Sequence, residues 1–196
     1  MAGHFDLLAP LYDRLMRRRD AQRLGELLRL PTEGWLLDVG GGTGRVSWGL
    51  RPLVGRLVVA DFSRPMLDQA RAKGDLWPVW ARAEQLPFRE GTFARVLVVD
   101  ALHHFGDALL SLGELTRVLG PGGRLVIEEP DIARFGARLI ALGERLALMG
   151  SHFLPPEEIR QMLEAQGLAA RIVRLGGLSA WVVGDKGEPR RVDSQL

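Results

Sequence analysis

The chain has 196 residues, 46% hydrophobic and 26% charged, which fits one globular domain with a real core. It contains no cysteine, which excludes disulfides, thiolate metal sites and cysteine nucleophiles. A formal net charge of only +2 argues against nucleic-acid binding on charge alone, and no apolar run approaches the roughly 18 residues of a membrane span, so with no leader-like N-terminus a cytoplasmic protein is expected.

The predicted elements alternate in type. Leu7, Leu8, Leu11, Leu15 and Met16 recur at helical spacing, and Asp20 is placed to cap a second helix carrying Leu24, Leu27 and Leu28 before Pro31. The basic run Arg17, Arg18 and Arg19 reads as a solvated face rather than a docking site for an anionic partner. Five short apolar runs follow, at 35–39, 57–60, 77–81 (weakened by Pro78), 96–99 and 125–127. Ser63 can cap a helix over 64–73, with Pro65 in the permissive first turn. Asp107 can cap another over 108–119, which Gly120-Pro121-Gly122-Gly123 should stop. Short apolar strands alternating with helices imply a parallel sheet covered on both faces.

The end of the chain changes character. Residues 132–149 read as an apolar helix, and Glu157 and Glu158 open another that ends at Gly167. Gly176-Gly177 joins two β-like runs, a hairpin signal. The fold class is therefore α/β: a doubly wound, Rossmann-like, mostly parallel seven-stranded sheet with an antiparallel C-terminal hairpin and N-terminal lid helices. One domain is expected over 1–184, with lid segments at 1–30 and 131–155 and a disordered polar tail at 185–196.

The central motif is Asp38-Val39-Gly40-Gly41-Gly42-Thr43-Gly44, which follows the first strand and is expected to open a helix. Glycines there allow a tight turn and let a ligand lie against backbone. Asp61 closes the second strand, where an acid beside such a loop accepts hydrogen bonds from ribose hydroxyls. The dinucleotide pattern G-x-G-x-x-G fails in both registers, at Arg45 and at Ser47, and the phosphate-loop Gly-Lys-Ser/Thr is absent. A nicotinamide oxidoreductase is therefore disfavoured. A carboxylate at Asp38 suits a cofactor with a cationic amino group or sulfonium better than a pyrophosphate.

These motifs carry a resemblance. DVGGGTG (38–44) resembles the first motif of class I S-adenosylmethionine-dependent methyltransferases. DFSRPML (61–67), ARAEQLPF (81–88), VVDALHHF (98–105) and RVLGPGGRLVIEEP (117–130) match the later motifs in order. FDLLAPLYD (5–13) and HFLPPEEIRQMLEAQGL (152–168) are similar to segments of the quinone-biosynthesis C-methyltransferase branch. The resemblance spans about 5–184. It implies S-adenosylmethionine as cofactor and S-adenosylhomocysteine as product. Carried over by position, it implies that Gly40 and Gly42 approach the methionine part, that Asp38 helps order that region, and that Asp61 holds the ribose. Phe62 and Met66 would flank adenine, Ala83 and Glu84 would meet its edge, the Val99 carbonyl would take the cofactor amino group, and Tyr12 would close over the cofactor. One position departs from the family: Arg82 stands where an acid often accepts from the adenine amino group, and an arginine cannot accept. That contact should be lost, replaced by backbone, or supplied by Glu84.

A sulfonium methyl is already activated, so the protein mainly has to align a nucleophile with it and exclude water. Where the nucleophile must lose a proton, His104, His103 and Asp100 are the candidate catalytic residues, just past the fourth strand on the carboxyl edge of the sheet. His104 ranks first, by the same resemblance, and His4 and His152 read as ordinary surface residues. Glu128, Glu129 and Asp131 form an acidic cluster without an evident further ligand, so no metal is expected. Apolar residues with Arg134, Arg138 and Arg145 in 132–149 would suit an apolar or aromatic small-molecule acceptor. The alternatives are a module of this fold that binds cofactor without turnover, and an RNA methyltransferase.

Overall fold

The computed structural model describes residues 21–131, 153–175 and 178–188. Tyr12, His4, the helix expected over 5–16, Asp20, Arg17–Arg19, the 132–149 helix with its three arginines, His152, the Gly176-Gly177 link and 189–196 lie outside the described residues.

The described chain runs α1 (Ala21–Leu28), β1 (Thr32–Val39), a 3₁₀ segment (Ser47–Leu53), β2 (Val54–Asp61), α2 (Arg64–Ala72), β3 (Trp77–Trp80), β4 (Phe93–Val99), a 3₁₀ turn (Leu102–His104), α3 (Ala108–Val118), β5 (Leu119–Pro130), α4 (Pro156–Ala165), β6 (Leu168–Val173) and β7 (Ser179–Lys186). The seven strands form one sheet in the order β3-β2-β1-β4-β5-β7-β6. β1 to β5 are parallel, and β7 is antiparallel to both β5 and β6. Adjacent strand residues point to opposite faces, so Leu36 and Leu37, side by side in β1, enter two different cores. Leu37, Val58 and Val96 pack with Leu112 and Leu115 of α3 and with Ile159 and Leu163 of α4. Leu36, Leu57 and Leu97 pack on the other side with Leu24 and Leu28 of α1 and with Leu67 of α2. Coverage on both faces explains why the central strands are continuously apolar. Among the described residues no helix is long and apolar enough to cross a membrane.

Local sequence explains the helix starts. Ser63 Oγ accepts from the Met66 amide at 3.4 Å, and Asp107 Oδ1 accepts from Leu110 at 2.9 Å. Pro78 sits in β3 at the sheet's edge, where a missing N–H is tolerated.

Three expectations are corrected. The glycine loop leads into turns and the 3₁₀ segment Ser47–Leu53 instead of an α-helix. Gly44 holds φ +68°, Gly49 weakens helix propensity, and Pro52 within the segment cannot donate. Gly120–Gly123 belongs to β5: α3 ends at Val118, and the glycines take up a register shift between β4 and β5, with Gly122 at φ +66°. The boundary at 184 also moves, because β7 runs on through Asp185 and Lys186. Lys186 Nζ donates to the carbonyls of Thr116 and Leu119 at the end of α3.

Asp185 is held by a buried arginine. Arg124 donates to its two oxygens at 2.6 and 2.8 Å and to the Leu27 carbonyl at 3.0 Å, while Arg95 donates to the Leu28 carbonyl at 2.5 Å. The two guanidinium groups thus satisfy carbonyls that the end of α1 leaves unpaired. Burial alone would raise the Asp185 carboxyl, but the hydrogen bonds and charge of Arg124 hold it below its usual range. The stability it contributes is present at neutral pH and is lost as pH falls through that lowered value. Arg124→Met should lower unfolding free energy by about 2 kcal/mol, less than for a fully buried pair because Asp185 is a third exposed. Urea denaturation at pH 7 and pH 2.5 checks this, with the smaller difference expected at the acid pH, which lies below the unfolded-chain value of 3.8.

Candidate active site

The glycine loop turns at the carboxyl end of β1. Gly40 and Gly41 donate to the Ala60 carbonyl at 2.8 and 3.4 Å, which ties the loop to the end of β2. Gly40, Gly42 and Gly44 all have positive φ. A Cβ at Gly40 would lie 2.6 Å from Ala101 Cβ, so the loop approaches the β4 exit as closely as glycine allows. Asp61 clamps this arrangement. Its Oδ2 accepts from the Gly42 amide at 2.8 Å and its Oδ1 from the Ser63 amide at 2.7 Å. A carboxylate oxygen accepts more than once, so the same group can also receive a diol.

These elements wall a cavity of about 370 Å³, within the usual range for small-molecule sites. Asp38, Gly40, Gly42, Asp61, Phe62 and Met66 line it from the β1 and β2 side. Ala83, Glu84, Val99, Asp100 and His104 line it from the β3–β4 connection and the β4 exit. The structure thus brings together every expected site residue except Tyr12, which is outside the described residues, and His103. Arg45, Phe105 and Gly106 also line the cavity and were not singled out from the sequence. Phe105 directly follows the histidine pair, and a Cβ at Gly40 would meet its ring at 3.2 Å.

Asp38 is almost wholly buried, and its Oδ2 has no hydrogen-bond partner among the described residues. Burial, assisted by the nearby Asp61 charge and opposed by Ser47, pushes its carboxyl up to about 7. In the unfolded chain the group loses its proton near 3.8, whereas the folded protein keeps it to about 7. The folded state therefore binds more protons between those values, and stability falls as pH rises from 4 to 7. Asp38→Asn should remove that slope and gain a few kcal/mol at pH 8, at about 1.4 kcal/mol per pH unit. Denaturant midpoints of both proteins at pH 5 and pH 8 check this: the wild type should weaken and the variant should not.

At the rim, Phe62 is more than half exposed. Its ring stacks on Trp80 at 5.3 Å, and Trp80 Nε1 donates to the Phe62 carbonyl at 2.9 Å. The Arg82 guanidinium lies 5.4 Å over the same ring. Trp80 lies within the weak run at 77–81 and carries no motif of its own; in β3 it pairs with Asp61 at the end of β2, which brings it beside Phe62. Glu84 is committed elsewhere: Oε1 accepts from Gly106 and Asp107 at 2.7 and 3.3 Å, and Arg82 reaches Oε2 at 3.4 Å. Burial alone would raise Glu84, but these backbone and Arg82 contacts hold it lower and therefore ionised.

The two histidines are separated. His104 lines the cavity, and burial, then the neighbouring His103, lower it to about 3. It is a neutral imidazole at any ordinary pH. His103 is buried away from the cavity, its Nδ1 2.5 Å from Glu129 Oε2 and its ring stacked on Phe153 at 4.3 Å. Of the three candidates, His104 and Asp100 reach the cavity and His103 does not. Asp100 leaves β4 at φ +54°, a conformation that aspartate tolerates better than most residues. Of the acidic cluster, Glu129 faces His103, and Asp131 Oδ2 accepts from Arg174 at 2.9 Å.

The residues fit the cofactor that the motifs imply. The Asp38 oxygen without a partner suits an ammonium, the glycine backbone admits close approach, Asp61 suits a diol, and the Phe62–Trp80 stack offers a face for a purine.

Comparison with known proteins agrees. Residues 37–127 match the family model described as a methyltransferase domain. A demethylmenaquinone methyltransferase of Thermus thermophilus is 32% identical over 218 aligned positions, covering 93% of this chain and 99% of the relative. One of Deinococcus radiodurans is 32% identical, covering 93% and 90%. An S-adenosylmethionine-dependent methyltransferase structure from Aquifex aeolicus shares the fold, with a TM-score of 0.73 at 20% identity over 92% of this chain and 97% of that one. A binding module without turnover is not favoured by relatives of this kind. With the glycine loop, Asp61 and the cavity in place, the chain belongs to the S-adenosylmethionine-dependent methyltransferases.

Proposed function

We propose that the protein methylates a ring carbon of a quinol, in the class named for its relatives, the demethylmenaquinones. The observation that carries this reading is the placement of His104 and the glycine loop on one cavity, within a chain similar to such enzymes along most of its length.

The bound cofactor supplies a methyl group activated on a sulfonium. The chain's own residues do the rest. The Asp38 carboxyl, the loop backbone and Asp61 would hold the donor in the cavity that opens to the β4 exit. Apolar walls, including Phe105 and Ala101, exclude water. His104, neutral in the free protein, takes the proton of the acceptor hydroxyl as the developing phenolate beside it offsets the burial that weakens it as a base, and loss of that proton raises electron density at the adjacent ring carbon. That carbon would attack the methyl the donor supplies: a C–C bond forms, the S–CH₃ bond breaks, the carbon's own proton leaves to solvent, and His104 returns its proton to the oxygen, which restores the aromatic ring and the hydroxyl. A cytoplasmic location accompanies this reading.

The test is transfer of label from methyl-labelled S-adenosylmethionine to a short-chain demethylmenaquinol under anaerobic, reducing conditions. Label in the organic phase and a product heavier by one methylene are expected. Absence of label in the quinol, from protein that binds S-adenosylhomocysteine, would exclude this acceptor class.

A further inference from the structure

Glu129 is a buried acid in β5, 3% exposed, one residue past the Glu128–Val99 pair where β4 ends. It reaches across to the chain leaving β4. Its Oε1 accepts from the backbone amides of Ala101 and Leu102 at 3.1 and 2.8 Å, and its Oε2 faces His103 Nδ1 at 2.5 Å. These are charge-assisted contacts in a dry environment, the stronger kind of hydrogen bond. The turn they grip is closed by His104 N to Ala101 O and by Phe105 N to Leu102 O, both 3.0 Å. The His103 ring is held between Phe153, nearly parallel at 4.3 Å, and His104, with ring centroids 4.0 Å apart. A continuous set of contacts thus runs from a β5 carboxylate to the imidazole on the cavity wall.

We propose that Glu129 is a positioning residue for His104, acting through the 102–104 turn and through His103. This rests on the reading of His104 as the group that takes the acceptor's proton. The carboxylate accepts only, so it fixes the hydrogen of His103 on Nδ1 and leaves Nε2 without one when the ring is neutral. His103 then presents one defined face and one tautomer to His104. The two amides accepted by Oε1 set the height of the turn above β5. Glu129, one of the three acids around the end of β5, thereby has a use that involves no metal.

Glu129→Gln tests the role with little change in shape. Its carbonyl can still accept from Ala101 and Leu102, but its amide donates to His103 Nδ1 and moves the ring hydrogen to Nε2. The expected result has two parts. In ¹⁵N spectra the His103 tautomer changes and the His104 ring resonances move. In the quinol assay kcat falls about 100-fold, as for a misplaced reacting group, with KM and S-adenosylhomocysteine affinity within about twofold. A second pair avoids any folding failure of that variant. His103→Asn, whose amide can donate as Nδ1–H does, should keep kcat within a few-fold, whereas His103→Phe should lose it although it keeps the stack on Phe153. Unmoved His104 resonances in Glu129→Gln, or equal kcat in His103→Asn and His103→Phe, would overturn the proposal. Full kcat in His104→Ala would instead overturn the proton-taking reading, while the His104 resonances in Glu129→Gln would still report on positioning.

Discussion

His104→Ala should lower kcat for the quinol by about 10²- to 10⁴-fold, the usual contribution of a positioned acid–base group, and should leave S-adenosylhomocysteine affinity nearly unchanged. The separation follows from geometry. His104 lies on the cavity wall that leaves β4, whereas the loop, Asp61 and Phe62 form the wall from β1 and β2. His104→Gln should recover part of the stability but little of the rate, since an amide fills the space without taking a proton. The pH profile is a second readout. Because burial and His103 hold the imidazole neutral down to about pH 3, its own protonation should not limit the rate of the wild type between pH 6 and 9. Steady-state kinetics of the variants beside calorimetric Kd values check both points.

Asp61→Ala should raise the Kd for S-adenosylhomocysteine about 100-fold, equivalent to roughly 3 kcal/mol. Two effects combine. The variant loses the carboxylate expected to receive the ribose diol. It also releases the Gly42 and Ser63 amides, which the two carboxylate oxygens now hold at 2.8 and 2.7 Å. Loop and α2 N-terminus would both loosen, each freed amide costing about 1–3 kcal/mol where water does not replace the contact. Asp61→Asn should fall between, because one carbonyl oxygen cannot serve both amides and a diol. Calorimetric titration of the two variants, with thermal melts to register the structural part, separates binding from folding.

The parts of this site legible in sequence were those set by short-range chemistry. Glycines at 40, 42 and 44 announce positive φ, Ser63 and Asp107 announce helix starts, and Asp61 announces the end of a strand beside the loop. What stayed hidden depends on contacts between distant segments. His103 and His104 are adjacent and chemically identical. Only the 3₁₀ turn, held from β5 by Glu129, sends one inward and the other to the cavity. Glu129 looked like one acid among three because nothing local says that β5 lies against the chain leaving β4. Asp185 looked like the start of a polar tail because its partner, Arg124, is far away in sequence. The expected helix after the loop failed for a local reason, with Gly49 and Pro52 outweighing the apolar residues around them. Arg82 showed that an acceptor was missing, but the engagement of Glu84 by Gly106 and Asp107 could be seen only once the loop before α3 was in place.

The most direct test of the central claim is calorimetric titration of the wild-type chain with S-adenosylhomocysteine. Binding at one site per chain with micromolar or tighter affinity is the predicted result. No binding by folded protein would contradict the assignment of the glycine-loop cavity as the cofactor site.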